Sequence, residues 1–465
     1  MRNERVRRRT VQGPPKNFRR QRLFCLTRTL LGAALLTADA PVLAAEPALT
    51  AAQPCLIREG TRLAMLGDSI TEQKLYTKFV ETYLLVAGPA TNLSVMQFGW
   101  SGDIAPRCVQ RLAHDVLPWR PTLATTCYGM NDGGGSWRPF DTDSSNRYIA
   151  ALSMIVTNLK GIGAEVVVGG PGVVDSHTFK PRFTDPERGN YNGILGRVAA
   201  LGQSVAISNQ CRYADIYHPM LSAMEQAKAA YGAEYPIASD GIHPGPNGHV
   251  VMAYAFLVAL GVDGVIGEIT LDWARGQATA TEGHRVLAVT NGAVTLESWR
   301  YPFCFWGEEK NPQGTAGILP FVPFQTRLNR YVLKVKGVST PFAEVKWGKA
   351  SKTFSARELS NGVNLAADFL DNPFRPAFDA VMEAVGEKQA FETMMIKSVI
   401  TNHRQLRSDF AADAEMQAAM TCIGERLMHR QKQWCTQVRN KVTPVRHVIE
   451  VIPKKSNECL RRNTR

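Results

Sequence analysis

Between residues 62 and 261, short apolar runs alternate with longer stretches of helical periodicity. Leu63 to Leu66, Leu93 to Phe98, Thr122 to Cys127, Glu165 to Gly169 and Tyr213 to Tyr217 read as five strands. The segments between them read as helices: Tyr148, Leu152, Ile155 and Leu159 recur at spacings of four, three and four, on one helical face. Strands that alternate with helices imply a parallel sheet covered on both sides, because each crossover lays a helix on a face. The expected architecture is a three-layer α/β/α domain over residues 46–261, with its ligand site at the carboxyl ends of the strands.

The pattern changes after Leu260-Gly261. His284 to Val289 and Val294 to Trp299 flank Asn291-Gly292, a dipeptide that supplies the positive φ angles of a type I′ hairpin turn. Tyr331 to Val335 and Ala343 to Trp347 read as a second strand pair. Residues 262–350 are therefore expected to form a smaller β-rich unit. Residues 351–440 read as a helical region interrupted at Asn372-Pro373, and 441–465 as a loose basic tail.

Length and composition suit a packed globular protein: 465 residues, 45% hydrophobic and 20% charged. The formal net charge of +13 suggests nucleic acid until it is placed along the chain. Residues 1–45 carry a net +8 and residues 441–465 a net +5, so the body between them is neutral. The amino-terminal charge precedes an apolar run from Thr29 to Ala38 and the small-residue stretch Val42-Leu43-Ala44-Ala45. That order is the signature of a secretory signal peptide, with cleavage near Ala44-Ala45 and a secreted or periplasmic mature protein. The run is about half the ~20 residues that a spanning helix needs, which argues against a permanent membrane anchor. The eight cysteines beyond residue 45 include no CxxC pair, and Cys127, in an apolar run, reads as a core thiol.

Candidate chemistry sits where the strands end. Gly67-Asp68-Ser69-Ile70-Thr71-Glu72 follows the first strand, and a serine on a tight strand-to-helix turn is held at the sheet edge as a nucleophile would be. Ser69 or Thr71 as a simple helix cap is the competing reading of this block alone. Gly99-Trp100-Ser101-Gly102-Asp103 follows the second strand, Gly129-Met130-Asn131-Asp132 the third, and Asp240-Gly241-Ile242-His243-Pro244 lies beyond the fifth. A parallel sheet brings all four together, supplying a nucleophile, a base with a carboxylate and oxyanion donors.

These four blocks, in this order, resemble the SGNH hydrolases, the GDSL-type esterase and lipase superfamily, over roughly residues 60–260. The resemblance implies a flavodoxin-like fold and a metal- and cofactor-free serine hydrolase acting through an acyl-enzyme. Carried over residue by residue, Ser69 is the nucleophile, His243 the base and Asp240 its orienting carboxylate. Ser69, Gly102 and Asn131 form the oxyanion hole. One departure is Gln97, where the family's second block often has Asn; it is expected to alter how the loop is braced. The segments Leu328-Asn329-Arg330-Tyr331, Trp347-Gly348 and Asn364-Leu365-Ala366 resemble, more loosely, the carboxyl-terminal part of large exported bacterial members.

Asp68 and Asp132 read as carboxylates that bracket loop N–H groups. His249, in the helix starting near Pro246, reads as structural, and Gly133-Gly134-Gly135 as a flexible loop without the lysine of a phosphate-binding loop. Asp175 and His177, after the fourth strand, are candidates for lining the substrate cleft. Trp306 closes the aromatic stretch Trp299, Tyr301, Phe303, Phe305, which reads either as a sugar-stacking platform or as sheet core. The expected substrate is a small-molecule or polysaccharide carboxylic ester, with a carbohydrate acetyl ester as the leading form. A lipid acyl esterase or lysophospholipase, and a non-catalytic carbohydrate-binding protein on the same scaffold, are the alternatives.

Overall fold

The structure, a computed structural model, describes residues 53–135, 137–184 and 190–455. Its first half is a parallel sheet of β1 (Arg62–Gly67), β2 (Ser94–Gly99), β3 (Leu123–Cys127), β4 (Glu165–Gly169) and β5 (Arg212–Ala214), in the order β2-β1-β3-β4-β5. That is the doubly wound order with its switch point at β1 and β3. The helices between are α1 (Ser69–Glu72), α2 (Tyr76–Val86), α3 (Ala105–Asp115), α4 (Thr142–Gly161), α5 (Tyr191–Ser208), α6 (Tyr217–Tyr231) and α7 (Pro246–Ala259). Helices cover both faces, so the strands are buried almost throughout. The fifth strand is shorter than its apolar run suggested, because Tyr217 already opens α6.

Register places the site. Gly67 pairs with Gly99 on one side and Cys127 on the other, Cys127 with Gly169, and Gly169 with Ala214. The five strands thus end level, and the loops after β1, β2 and β3 leave from one row. Glycine at two of these places lets α1 lie against the strand ends: a Cβ on Gly67 would sit 2.0 Å from Thr71 Oγ1, and one on Gly99 2.3 Å from the Glu72 backbone nitrogen.

The second half adds two sheets. β6 (Val265–Asp272), β7 (Gln277–Ala280), β8 (His284–Thr290) and β9 (Ala293–Ser298) come first, with β8 and β9 forming the expected hairpin. Asn291 and Gly292 have φ of 50° and 81°, as their turn requires. After α8 (Phe324–Arg327) follow β10 (Arg330–Lys336), β11 (Phe342–Trp347), β12 (Ala350–Ser355), α9 (Ala356–Asn361), β13 (Val363–Asn364) and α10 (Leu365–Asp368). The helical part is α11 (Arg375–Met394), a π-helical turn at Met395–Ile400, α12 (Thr401–Asp409) and α13 (Ala414–Arg439).

Two expectations for this half are corrected. The strands at 331–335 and 343–347 exist but do not pair: β10 runs parallel to β6 in a sheet ordered β13-β10-β6-β7, whereas β11 forms a hairpin with β12 in the other sheet. Nor is 441–465 simply a tail. Val445–Lys454 is β14, the middle strand of the sheet β12-β11-β14-β9-β8. His447, Ile449 and Val451 point inward while Arg446 and Val448 face out, a period of two that the terminal basic charge obscured.

His447 belongs to a buried polar network. It contacts the Ser298 hydroxyl at 3.0 Å and accepts the Trp347 indole N–H at 3.2 Å, while His284 contacts Ser298 from the other side at 2.9 Å. Burial lowers the His447 pKa to about 3, so the ring is neutral and acts as a core hydrogen-bonding group. The described residues form one compact unit, so the carboxyl-terminal half is integrated with the parallel-sheet domain. The expected signal peptide, residues 1–45, lies outside the described residues. No helix among the described residues is long and apolar enough to cross a membrane.

Candidate active site

Ser69 opens α1, a single turn that Asp68 caps by accepting the Ile70 N–H at 3.0 Å. So short a helix has little dipole, and the donors available here are individual backbone N–H groups. From 174 residues away, His243 Nε2 lies 2.8 Å from Ser69 Oγ, and its Nδ1 lies 2.6 Å from Asp240 Oδ2. The other Asp240 oxygen accepts the backbone N–H groups of Ile242 and His243 at 2.9 and 2.8 Å. One carboxylate thus folds the loop and orients the ring. Burial works to raise the Asp240 pKa, but the hydrogen bonds from the His243 N–H and ring and the Ile242 N–H outweigh it and hold the carboxyl below its ordinary value. In this arrangement Nδ1 carries the proton and Nε2 is free to accept one from Ser69.

The loops after β2 and β3 meet beside Ser69. Asn131 Nδ2 donates to the Asp103 carbonyl at 2.9 Å, which fixes the amide orientation, since only a donor can face a carbonyl. Its remaining N–H has only a 3.5 Å contact with Asp68 Oδ2. Asp132 staples the two loops, accepting from Ala105 N–H at 3.0 Å and Gly129 N–H at 3.1 Å. Beneath them Arg111 is buried against Asp103 at 2.9 Å. Burial raises Asp68 and Asp132 to about 7, with neighbouring carboxylates adding to the rise. Their bonds to loop N–H groups match the bracketing role expected from sequence. Gly102 has φ 71°, a left-handed conformation that favours glycine, and is exposed.

His249 is buried, accepts the Tyr76 N–H at 3.1 Å and contacts Gln73 at 3.0 Å; burial lowers its pKa to about 3. It is the structural residue expected. Cys127 is a buried free thiol.

Two cleft candidates are corrected. Asp175 does not line a cleft: it is fully buried, accepts from the His177, Thr178 and Ile237 N–H groups, and meets Lys228 at 3.1 Å. Its own N–H donates to the Gly241 carbonyl, so it pins the Asp240–His243 loop to β4. The middle of the aromatic stretch is core rather than platform, while Trp299 at its start is exposed. Tyr301, Phe303 and Phe305 are buried against Phe324, Phe374 and Phe378 in an extended segment that is not a strand. Trp306 is half-buried, edge-on to Phe79 at 5.6 Å, and lines an open pocket with Leu370, Arg375 and Met382. Its ring does not join the Ser69–His243–Asp240 cluster among the described contacts. His177 stays exposed on its loop. A cavity of about 660 Å³, walled by Val174, Phe179, Tyr191, Leu221 and Met224, opens beside the same loop, since Phe179 packs on Gly241.

Some groups at the site were not singled out from sequence. Glu72 Oε2 accepts the Ser101 N–H at 2.5 Å and pairs with Lys397. Glu72 closes the first block but was given no role there, and Lys397 carries no local signal. Gln97, the departure in the second block, braces the loop through its carbonyl, which accepts the Gly99 N–H at 3.0 Å.

Residues 65–251 match the GDSL-like lipase/acylhydrolase family. An acetylxylan esterase of Geobacillus stearothermophilus is 22% identical over 231 residues, covering 45% of this chain and 98% of that protein. A gut microbial diltiazem-metabolizing enzyme of known structure shares the fold across both halves, with a TM-score of 0.64 at 19% identity, covering 86% of this chain and 98% of its own. The solved structure of the Geobacillus acetylxylan esterase aligns with 44% of this chain, at 21% identity and a TM-score of 0.37.

Proposed function

We propose that this chain, an SGNH hydrolase and esterase of the GDSL type, removes short acyl groups, acetyl foremost, from a carbohydrate ester by way of an acyl-enzyme on Ser69. The observation that carries the reading is the unbroken line of contacts Ser69 Oγ, His243 and Asp240, at 2.8 and 2.6 Å, made by residues 174 positions apart in sequence. A capping serine has no need of such a partner.

His243 Nε2 takes the Ser69 proton as Oγ attacks the ester carbon. Asp240 keeps the ring in the tautomer that can accept and stabilises the imidazolium formed. The oxygen that gains charge is received by the backbone N–H groups of Ser69 and Gly102 and the second amide N–H of Asn131, which exchanges its long contact with Asp68 for the oxyanion. His243 then returns the proton to the leaving alcohol, and water repeats the sequence to release the acid and restore Ser69.

The acetyl-carbohydrate preference is supported by the acetylxylan esterase relative, which matches over 45% of this chain. The cavity beside Gly241, with His177 on its loop, is read as the space for the rest of the substrate. We retain 46–261 as the hydrolase domain and read 262–455 as its appended β-rich and helical parts, with β14 included. Residues 1–45 are read as an export signal, checked by the mass of the protein recovered outside the cytoplasm. The test of function is acetate release from acetylated xylooligosaccharides beside a p-nitrophenyl ester series from acetate to octanoate and a lysophospholipid panel. Activity is expected to be highest on acetyl esters and absent in Ser69→Ala. Lipid-only activity overturns the carbohydrate preference, and undiminished hydrolysis by Ser69→Ala overturns the whole reading.

A further inference from the structure

The loop from Gly99 to Gly102 supplies one of the three proposed oxyanion donors, yet little packs on its tip: nothing lies within 4 Å of the place a Gly102 Cβ would take. Locally the Trp100 N–H donates to the Gly67 carbonyl at 3.1 Å and Arg107 reaches the Gly102 carbonyl at 3.3 Å, and two further supports lead to one distant helical segment. At its start, Gln97 accepts the Gly99 N–H at 3.0 Å while its amide donates to Thr393 Oγ1 at 2.5 Å. Nearer the tip, Glu72 accepts the Ser101 N–H at 2.5 Å and is held by Lys397, whose ammonium meets both carboxylate oxygens at 2.7 and 3.0 Å. The same ammonium lies 5.1 Å from the centre of the Trp100 ring, over the loop itself. Thr393 lies in the last turn of α11 and Lys397 in the π-helical turn that follows, a local widening of a kind that recurs at functional sites. Both residues lie well outside the matched hydrolase region, residues 65–251.

We infer that Lys397 is a positioning residue for the oxyanion hole: through Glu72 and Trp100, the carboxyl-terminal helical region holds the Ser101–Gly102 backbone at its working height. Lys397 and Glu72 are 31% and 17% exposed, so the pair is less screened than an ordinary surface bridge. Burial raises the Glu72 carboxyl, but the bonds from Lys397 and Ser101 outweigh it and leave its pKa lowered, so that it stays an acceptor. Electrostatic stabilisation of a developing oxyanion depends on donors fixed beforehand, and a small misplacement carries a large rate penalty. The inference rests on the Ser69, Gly102 and Asn131 assignment above.

The experiment measures kcat and KM on p-nitrophenyl acetate, normalised to the fraction of sites labelled at completion by a fluorophosphonate probe. Lys397→Met is expected to lower kcat roughly 10- to 100-fold with KM within about twofold. Glu72→Ala should do the same, and the double variant should be no worse than the poorer single one, because the two act through one contact. Lys397→Arg should regain part of the loss, since a guanidinium still pairs with Glu72. Lys352→Met, on the edge strand β12, breaks an ion pair with Asp368 of α10 and should keep the parent kcat. Parent kcat per labelled site in Lys397→Met, with Ser69→Ala inactive, overturns the inference and leaves the esterase reading standing. A loss in Lys397→Met that only mirrors a smaller labelled fraction also overturns it, because it reports folding and not positioning. Activity in Ser69→Ala overturns both.

Discussion

Replacing Asp240 by asparagine should damage the enzyme more than replacing it by alanine, although asparagine is the closer mimic. The side chain of Asp240 is 57% exposed and that of His243 33% exposed, so water reaches both. A carboxylate and an imidazolium about 4 Å apart attract by about 4 kcal/mol at an effective dielectric of 20 and about 1 kcal/mol in water. This exposure puts the stabilisation of the imidazolium nearer the lower figure, at roughly 1–3 kcal/mol, or about 5- to 150-fold in rate. In Asp240→Ala, water can accept from His243 Nδ1 and from the exposed N–H groups of Ile242 and His243, so the loss should stay within that range. Asparagine has no orientation that serves. With its oxygen on the Ile242 and His243 N–H groups, its NH2 faces Nδ1 and selects the tautomer whose Nε2 cannot take the Ser69 proton. Flipped, it sets its NH2 against two backbone donors and strains the loop. Asp240→Asn should therefore lose about 10³- to 10⁴-fold, towards the loss reported for a buried triad. The assay is kcat/KM on p-nitrophenyl acetate from pH 6 to 9. An asparagine variant ten times more active than the alanine one, or an alanine variant as dead as Ser69→Ala, would refute the reasoning.

Asn131→Ala should lower kcat about 100- to 1000-fold with fluorophosphonate labelling still reaching completion, because it removes one oxyanion donor and leaves the nucleophile in place. Lys388→Met should destabilise the protein by about 3–5 kcal/mol in urea unfolding, since Lys388 is fully buried between Glu81 at 3.1 Å and Glu392 at 2.6 Å. Burial already raises the Glu81 pKa and Lys388 opposes it. Even with the lysine in place the Glu81 pKa stands at about 7, and without it the folded variant holds that proton to still higher pH than the folded parent does. The deficit should then be constant below about pH 7 and grow as the pH rises above it, and a difference that stays flat up to pH 9 would contradict it. Truncation after Pro444 removes β14 and exposes the edges of β9 and β11, so it should abolish soluble expression.

Much of the parallel-sheet half was legible because its signals are local. Each strand is a short apolar run, and the helices between them show their own period. The four blocks could be read because each follows directly on a strand, and the fold of a parallel sheet then decides that they meet. The carboxyl-terminal half was less legible because its pairings are not local. β10 finds its partner β6 some 60 residues back rather than the adjacent β11, and nothing in either run states that choice. β14 carried a readable alternation at His447, Ile449 and Val451, but it was outweighed by the basic charge around it. Asp175 was misread for a different reason: a carboxylate after the fourth strand lies on the correct sheet edge, and sequence does not say whether it faces solvent or pins a neighbouring loop.

The same limit explains why the support of the active site lay out of view. Thr77 and Gln389, 312 positions apart, meet at 2.8 Å, and Gln389 donates to Glu81 at 2.8 Å. Lys388 reaches the Val95 carbonyl on β2, and Gln97 reaches Thr393. Each of these helix residues reads from sequence as an ordinary polar position, because a polar side chain on a helix is usually solvated. They become informative only once α11 is seen lying along α2 and β2, where leaving any of them unpaired would cost about 1–3 kcal/mol. Such a contact surface requires a specific partner, and the partner is the wall of the proposed oxyanion loop. The appended helical region is therefore better understood as part of the catalytic scaffold than as a separate module. A hydrolase domain cut at residue 261 should expose Glu81, Gln97 and Glu72 without their partners, and should lose kcat through the oxyanion loop even where it remains folded.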